Sequence, residues 1–249
     1  SESPMRRFSA ASAGRFGEPA FWREFYARKS KSGPFEWFVD ADVAAHALQP
    51  LLPRSQGGGC RVLHLGCGTS ALGPLLAEQG HAVVNVDYDR GCLETAGAQV
   101  GSRPEWARHR VAAGEGGGLW RHRGGGTCEW LLHDMCALPA HWSGRFDAVV
   151  DKGGLCAAIF AGEAYAAAAC REAARCSTAD ASMHYITDDA PELRIDLLRA
   201  ALPGYEVVGA SIAPADDEEE EEDAFSHHRR EYFVYSATRT PVSTSDYPS

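Results

Sequence analysis

The stretch Val62-Leu63-His64-Leu65-Gly66-Cys67-Gly68-Thr69-Ser70 decides the fold of this chain. A short, mostly aliphatic run is followed directly by two glycines and two hydroxyl residues, and leucines with helical spacing come next. This order predicts a buried strand, a tight turn and the start of a helix. Glycine lets the backbone approach a ligand without a Cβ in the way, and the amino end of a helix carries partial positive charge. The stretch therefore predicts a ligand site at the end of a first strand.

Strand patterns and helical patterns alternate after this turn, as in βαβ units with a parallel sheet. Only an acidic loop separates the last two strands, so we expect them to pair antiparallel. The predicted fold is α/β, a Rossmann-like doubly wound seven-stranded sheet with a C-terminal antiparallel hairpin. Its strands are predicted at Arg61–Leu65, Ala82–Val86, Trp130–His133, Phe146–Asp151, Met183–Thr187, Tyr205–Ile212 and Tyr232–Ala237.

The domain organisation follows from where these patterns begin and end. We expect a flexible arm over residues 1–16, one domain over residues 17–240 and a flexible tail over residues 241–249. Within the domain, residues 112–127 are glycine-rich and predict a long loop, and residues 214–226 predict an acidic loop. The expected compartment is the cytoplasm, or the mitochondrion if the stretch 5–12 of the arm, which has two arginines and no acid, is the remnant of a transit peptide.

Charge and cysteine usage exclude several classes of function. The net charge is −10, but residues 216–223 are eight consecutive acids, so the rest of the chain carries −2. A nearly neutral body argues against nucleic-acid binding, and the acidic run predicts a solvated loop or a surface that attracts a basic protein. The chain has no apolar run of membrane-spanning length and no C-x-x-C pair among its eight cysteines. We expect no membrane association, no metal site and a monomer.

Two cofactor classes fit the glycine turn itself. Asp87 closes the second strand nineteen residues after Gly68, where a carboxylate can accept ribose hydroxyls of a nicotinamide dinucleotide or of S-adenosylmethionine. Asp134 closes the third strand, where an acid can bond an adenine amino group. Asp151 and Lys152 close the fourth, beside the place of a reactive methyl group. The sequence has no Tyr-x-x-x-Lys pair for hydride chemistry, so S-adenosylmethionine is favoured over a dinucleotide.

These motifs taken in order resemble the class I, seven-stranded S-adenosylmethionine-dependent methyltransferases. Within that class the chain is similar to a subgroup of protein-lysine methyltransferases that act on elongation factor 1-alpha or citrate synthase. The resemblance runs from about Trp22 to Tyr235. It is carried by Phe21-Trp22, Tyr26, Phe35-Glu36-Trp37-Phe38, Leu65-Gly66-Cys67-Gly68, Val86-Asp87-Tyr88, Asp134-Met135 and Val150-Asp151-Lys152-Gly153.

The resemblance implies a site, a cofactor and a partner. Asp151 and Lys152 become candidate catalytic residues, with Asp151 orienting the incoming amine. The cofactor is S-adenosylmethionine, which leaves as S-adenosylhomocysteine, and the partner is a lysine-containing protein substrate. The implied cofactor-binding residues are Trp22, Tyr26, Trp37, Gly66, Cys67, Gly68, Asp87, Tyr88, Asp134, Met135 and Lys152.

Two positions depart from the resembled pattern, and three other functions stay open. His64 stands where many class I enzymes have an acid, and Gly154-Leu155-Cys156 replaces a more usual Thr-Leu-Asp. The alternatives to a protein-lysine methyltransferase are a small-molecule or polyamine-directed transferase, a non-catalytic cofactor-binding module and, last, a dehydrogenase.

Overall fold

The computed structural model describes residues 15–29, 34–54, 58–110, 118–212 and 231–240. These residues form seven α-helices, one short 3-10 helix at Ala140–Trp142 and nine strands. The helices are α1 Pro19–Lys29, α2 Ala41–Leu48, α3 Leu72–Glu78, α4 Arg90–Gly101, α5 Gly154–Ala161, α6 Glu163–Cys176 and α7 Pro191–Ala201. The strands are β1 Arg61–Leu65, β2 Ala82–Asp87, β3 Trp106–Arg110, β4 Gly118–His122, β5 Thr127–Leu132, β6 Phe146–Lys152, β7 Ser177–Thr187, β8 Tyr205–Ile212 and β9 Tyr232–Arg239.

All nine strands form one sheet in the order β3-β4-β5-β2-β1-β6-β7-β9-β8. The five central strands, from β5 to β7, are parallel, so their carboxyl ends meet at one edge. The predicted C-terminal hairpin is confirmed, because β9 pairs antiparallel with both β7 and β8. Apolar clusters cover both faces of the sheet, with α2, α3 and α4 on one and α5, α6 and α7 on the other. The sheet is therefore doubly wound, as predicted.

The predicted number of seven strands is wrong, because β3 and β4 extend the sheet beyond β5. Residues 118–122, which the sequence places in a glycine-rich loop, pair antiparallel with both neighbours. The apolar alternation of a half-buried strand is missing here, since β3 is rich in arginine and histidine. Arg108 instead stacks on the neighbouring strand, with its guanidinium 5.6 Å from the centre of the Trp120 ring. Residues 112–117 and the predicted acidic loop 214–226 lie outside the described residues.

The N-terminal boundary of the packed body also differs from the prediction. Residue 16, assigned to the flexible arm, is a phenylalanine with 1% of its surface exposed. Its ring contacts Phe21, Trp22 and Trp37, and its carbonyl accepts a 2.7 Å hydrogen bond from the Trp22 indole. The arm prediction fails at this residue because one buried aromatic side chain leaves no periodic signal in sequence. Residues 1–14 and 241–249 lie outside the described residues.

Candidate active site

An open pocket of about 470 Å³ lies where the carboxyl ends of β1, β2, β5 and β6 meet. This edge is where open α/β sheets bind ligands. Five ring-bearing residues form part of its wall, namely Trp22, Tyr26, Trp37, Tyr88 and His133. The rest of the wall consists of Gly66, Val86, Asp87, Met135, Gly153, Gly154 and Ala157.

Seven of the residues implied by the resemblance therefore meet in one pocket: Trp22, Tyr26, Trp37, Gly66, Asp87, Tyr88 and Met135. Sequence reasoning gave no role to Val86, His133, Gly153, Gly154 and Ala157. Three of these are glycine or alanine, whose contribution is space for a ligand and leaves no chemical signal in the sequence.

The glycine turn owes its shape to close contacts within the protein. Gly66 and Gly68 have φ values of +56° and +51°, which favour glycine. A Cβ at Gly66 would lie 2.8 Å from the Gly154 Cα atom, and one at Gly68 would collide with the Tyr26 hydroxyl. The two glycines thus allow α5 and α1 to approach the turn, so that both helices can contribute to the pocket wall.

Asp87 is the carboxylate of the pocket. The Gly68 and Asp89 backbone N–H groups each donate a 2.9 Å hydrogen bond to it, one to each oxygen. The nearby Cys92 thiol donates a hydrogen bond to the Asp89 carbonyl oxygen. Burial raises the pKa of Asp87 to about 6 against the effect of the bonds from Gly68 and Asp89, so the group is ionised at neutral pH. A carboxylate has about four acceptor positions, which leaves capacity for a hydroxyl group of a ligand.

The aromatic side of the pocket comes from the N-terminal part of the chain. Trp22 and Tyr26 lie on one face of α1, as their spacing predicts, and Trp37 packs on Trp22 with ring centres 4.8 Å apart. Both tryptophans are buried. Aromatic faces attract cations, and this attraction strengthens where water is excluded. The pocket therefore combines one ionised carboxylate with aromatic surfaces suited to a positively charged group.

Glu36 is a residue whose role sequence reasoning missed. One carboxylate oxygen accepts a 2.6 Å hydrogen bond from the Ser70 hydroxyl, and the other accepts a 2.7 Å bond from the Ala71 backbone N–H. These bonds satisfy donors at the amino end of α3, where a negative charge is also favourable. The signal was present, since Glu36 stands inside the quoted Phe35-Glu36-Trp37-Phe38 motif.

Lys152 and Asp151, the predicted catalytic pair, are not among the residues of the pocket wall. The Lys152 ammonium is buried and forms a 2.7 Å salt bridge with Glu36. The Asp151 carboxylate accepts a 2.8 Å hydrogen bond from the Leu155 N–H at the start of α5. Burial raises the pKa of Asp151 to about 7. Both side chains point into the protein because they tie the end of β6 to neighbouring segments.

The remaining implied residues lie beside the pocket wall. The Cys67 side chain is buried in the turn, with its thiol donating to the Gly68 carbonyl, and Gly68 touches Tyr26. Asp134 is exposed between two wall residues, and its Oδ1 accepts hydrogen bonds from the Tyr165 hydroxyl and the Cys136 N–H, each 2.8 Å long. These three residues shape the turns at the pocket rim.

The two departures from the resembled pattern have internal partners. The His64 Nδ1 atom lies 2.9 Å from the side-chain amide oxygen of Asn85, and burial lowers the pKa of His64 to about 4. It is therefore neutral near pH 7 and supplies no charge to a ligand. The Cys156 sulfur lies 3.1 Å from the Thr187 hydroxyl and 3.5 Å from the Arg194 guanidinium.

Comparison with known proteins identifies relatives of this chain. No protein-family model matches the chain. The chain is 32% identical over 151 residues to the EEF1A lysine methyltransferase 4 of Mus musculus, a match that covers 60% of this chain and 48% of that protein. It is 25% identical over 198 residues to the mitochondrial citrate synthase-lysine N-methyltransferase CSKMT of Danio rerio, covering 76% and 73%. The predicted resemblance to protein-lysine methyltransferases is thus confirmed.

A solved structure settles the architecture. The magnesium protoporphyrin IX methyltransferase ChlM from Synechocystis PCC 6803, determined with bound S-adenosylmethionine, superimposes with a TM-score of 0.56 at 16% identity, covering 91% of this chain and 94% of ChlM. The chain has the class I methyltransferase fold. It spans about half the length of the EEF1A methyltransferases that it matches.

The described residues add two negative observations. None of the helices described here is long and apolar enough to cross a membrane. Within the same residues, no group of three or more His, Cys, Asp or Glu side chains is arranged to hold a metal ion.

Proposed function

We propose that this protein is an S-adenosylmethionine-dependent methyltransferase that transfers a methyl group to a lysine amine of a protein. The observation that carries the proposal is the pocket at the carboxyl edge of the sheet, where the ionised Asp87 faces the same space as Trp22, Tyr26 and Trp37. A nucleoside that also bears a positive charge matches both features, and the relatives named above are lysine methyltransferases.

The residues present fit S-adenosylmethionine. Asp87 has free acceptor positions for ribose hydroxyls, and Met135 and His133 follow β5 where an adenine ring would be bound. Asp134, between them, would accept from the adenine amino group. The aromatic rings of α1 and Trp37 would surround the cationic part of the cofactor. When bound, the cofactor supplies an electrophilic methyl group on a positively charged sulfur.

The protein contributes alignment and exclusion of water to the transfer. Methyl transfer is an in-line displacement, so the main task is to hold the lysine nitrogen in line with the methyl group and to remove its water. The buried aromatic wall serves the second task. The amine must lose its proton before it attacks. Asp151 is not a residue of the pocket wall, and its buried carboxylate accepts a hydrogen bond from the Leu155 N–H.

A transfer assay tests the proposal. Purified protein is incubated with tritiated S-adenosylmethionine and extract from cells that lack this gene. The expected result is label in protein bands, released as methyl-lysine on hydrolysis. Asp87→Ala removes the pocket carboxylate and should abolish labelling, whereas Asp180→Ala, which removes an exposed acid near the amino end of β7, should retain it. Label in a small amine with no labelled protein would support the small-molecule alternative. Cofactor binding without transfer would support the non-catalytic alternative.

A further inference from the structure

The buried ammonium group of Lys152 is surrounded by acceptors from one short segment. Its Nζ lies 2.7 Å from a Glu36 carboxylate oxygen, 2.9 Å from the Trp37 carbonyl oxygen and 3.4 Å from the Val39 carbonyl oxygen. The side chain is 1% exposed. A lysine ammonium has three donors, and these acceptors account for all three. Lys152 therefore binds the segment 36–39 from inside the protein.

That segment contains an unusual backbone conformation. Phe38 has a φ of +67°, and within the described ranges it is the one non-glycine residue with a positive φ. The left-handed region is unfavourable for a bulky side chain, and such residues persist where surrounding contacts hold them. The two carbonyl groups that Lys152 binds belong to the residues on either side of Phe38. The ammonium thus draws both ends of the left-handed turn toward one point.

The turn sets the position of a pocket residue. The Trp37 and Phe38 rings stack with centres 5.1 Å apart, against the end of β6. A Cβ at Gly153, next to Lys152, would lie 2.9 Å from a Trp37 ring carbon and 3.3 Å from a Phe38 ring carbon. The adjacent residues Lys152 and Gly153 therefore hold the backbone of the turn and leave room for its rings. Trp37 in turn forms part of the pocket wall.

Glu36 extends this connection to the glycine turn. It neutralises the buried ammonium, and its carboxylate also binds Ser70 and Ala71 at the start of α3. Breaking one half of a buried ion pair leaves an uncompensated charge, which is strongly unfavourable. The pair therefore links three parts of the pocket: the segment 36–39, the end of β6 and the amino end of α3.

We infer that Lys152 is a positioning residue, which keeps Trp37 on the pocket wall by holding the left-handed turn at Phe38, and that it acts through Trp37 without contact to substrate. The inference rests on the proposed function in one respect, that the pocket is the cofactor site. Its structural part concerns the free protein and can be tested without any ligand.

Amide hydrogen exchange measured on the free protein is the first part of the test. In Lys152→Met, amides of the segment 35–39 should exchange at least tenfold faster, while amides of β1 keep their rates. Arg171→Met, which removes an exposed positive charge on α6, serves as the charge control and should change neither region. Unchanged exchange over 35–39 in Lys152→Met would overturn the inference.

Binding of S-adenosylhomocysteine is the second part. Lys152→Met should weaken binding at least tenfold, and the fluorescence change on binding should lose the same component that Trp37→Phe removes. Weakened binding with the exchange of 35–39 and the Trp37 component both intact would instead indicate direct contact with the ligand and overturn the inference. A wild-type protein that does not bind S-adenosylhomocysteine contradicts the proposed function, while the exchange experiment still decides the role of Lys152.

A second variant covers the case in which Lys152→Met does not fold. The double variant Glu36→Gln, Lys152→Met removes both charges and so leaves no unpaired buried ion. It should fold, with residues 35–39 still exchanging rapidly. Wild-type protection of these amides in the double variant would show that the ion pair does not hold the turn.

Discussion

At the scale of single residues, Asp87 is the central residue of the pocket. Its charge serves ligand binding, and its neighbours fix the orientation of its carboxylate. The Gly68 and Asp89 N–H groups orient the carboxylate, whereas burial raises its pKa to about 6. This raised value lies close enough to neutrality to affect function. A protonated carboxyl has fewer acceptor positions for ribose hydroxyls than a carboxylate has.

Cofactor affinity should therefore depend on pH. Binding needs the ionised form of Asp87, so affinity should be constant above about pH 7 and should fall as the pH drops through 6, approaching tenfold per unit well below that value. Isothermal titration of S-adenosylhomocysteine from pH 5 to 8 measures this dependence. A flat profile across pH 6, with the protein still folded at pH 5 by circular dichroism, would show that Asp87 ionisation does not support binding.

The raised pKa values of Asp87 and Asp151 also make the stability of the fold depend on pH. The direction of this dependence follows from the proton uptake of these groups on folding. A buried acid whose pKa rises on folding binds a proton more tightly in the folded state, so Asp87 and Asp151 lower the free energy of unfolding as pH rises from about 4 to 7. His64 and His184, with pKa values lowered to about 4 by burial, act oppositely over pH 4 to 6.5. Replacing His64 with Asn, which cannot titrate, removes one of the groups that increase stability as the pH rises. From pH 4 to 6.5, the change of the free energy of unfolding with pH should therefore be more negative than in the wild type. Urea titrations at several pH values check this expectation.

Gly68 gives a prediction that combines backbone and side-chain effects. Gly68→Ala places a Cβ at φ +51° and against the Tyr26 hydroxyl. We expect a loss of about 1–3 kcal/mol of stability from the strained conformation and a clear loss of S-adenosylhomocysteine binding. Adding Tyr26→Phe removes the colliding oxygen, so the double variant should recover part of the stability in urea denaturation. No recovery would mean that the backbone conformation alone requires glycine.

At the scale of secondary structure elements, helix α1 gives the pocket its aromatic side although it lies outside the βα series. Phe16 packs α1 to the rest of the protein through its contacts with Trp22 and Trp37, and its ring also meets Phe160 of α5 edge-on. The helix thus depends on a residue that precedes it. Its position should be sensitive to a cavity at that point.

Phe16→Ala tests this dependence. Truncating a buried phenylalanine costs about 3–5 kcal/mol, and the loss here should be accompanied by weaker cofactor binding because Trp22 loses its neighbour. The neighbouring Arg15→Ala, at an exposed surface ion pair, should cost less than about 1 kcal/mol. Urea denaturation of both variants provides the comparison. Equal losses of stability in the two variants would contradict the conclusion that Phe16 holds α1 in place by packing.

The sequence predicts some elements better than others, for physical reasons. The boundaries of β1 and β8 match the predicted ones, because valine, leucine and isoleucine give both segments a clear strand pattern. The strands β3 and β4 were missed because segments rich in arginine, histidine and glycine lack a clear apolar period. Helix α5 has no clear sequence pattern for the opposite reason, since it is apolar on all sides and shows no amphipathic stripe.

The residues of the candidate site also differ in how well the sequence predicts their positions. Residues that follow a strand or share a helix face, such as Asp87, Trp22 and Tyr26, could be placed from sequence. The direction of a side chain at a strand end could not, because it depends on a partner far along the chain. Lys152 turns inward because Glu36, 116 residues earlier, offers it a carboxylate. The Lys152 ammonium therefore lies against the backbone of Trp37, and Lys152 is not a residue of the pocket wall.

At the scale of the whole molecule, the pocket is built from parts separated by more than a hundred residues. The N-terminal aromatic segment, the glycine turn and the ends of β2, β5 and β6 meet at one edge of a doubly wound sheet. A ligand that contacts all of them stabilises the whole folded state, since it binds the folded chain and not the unfolded one. We expect a saturating concentration of S-adenosylhomocysteine, about a hundredfold above its Kd, to stabilise the fold by about 2.7 kcal/mol.

The most direct test of the central claim is a calorimetric titration of S-adenosylhomocysteine into the protein at pH 7.5, run in parallel on the wild type, Asp87→Ala and Asp180→Ala. The proposed function predicts saturable one-to-one binding to the wild type and to Asp180→Ala, and at least a hundredfold weaker binding to Asp87→Ala. No binding to the wild type, or equal binding to all three proteins, would contradict the assignment of this pocket to S-adenosylmethionine.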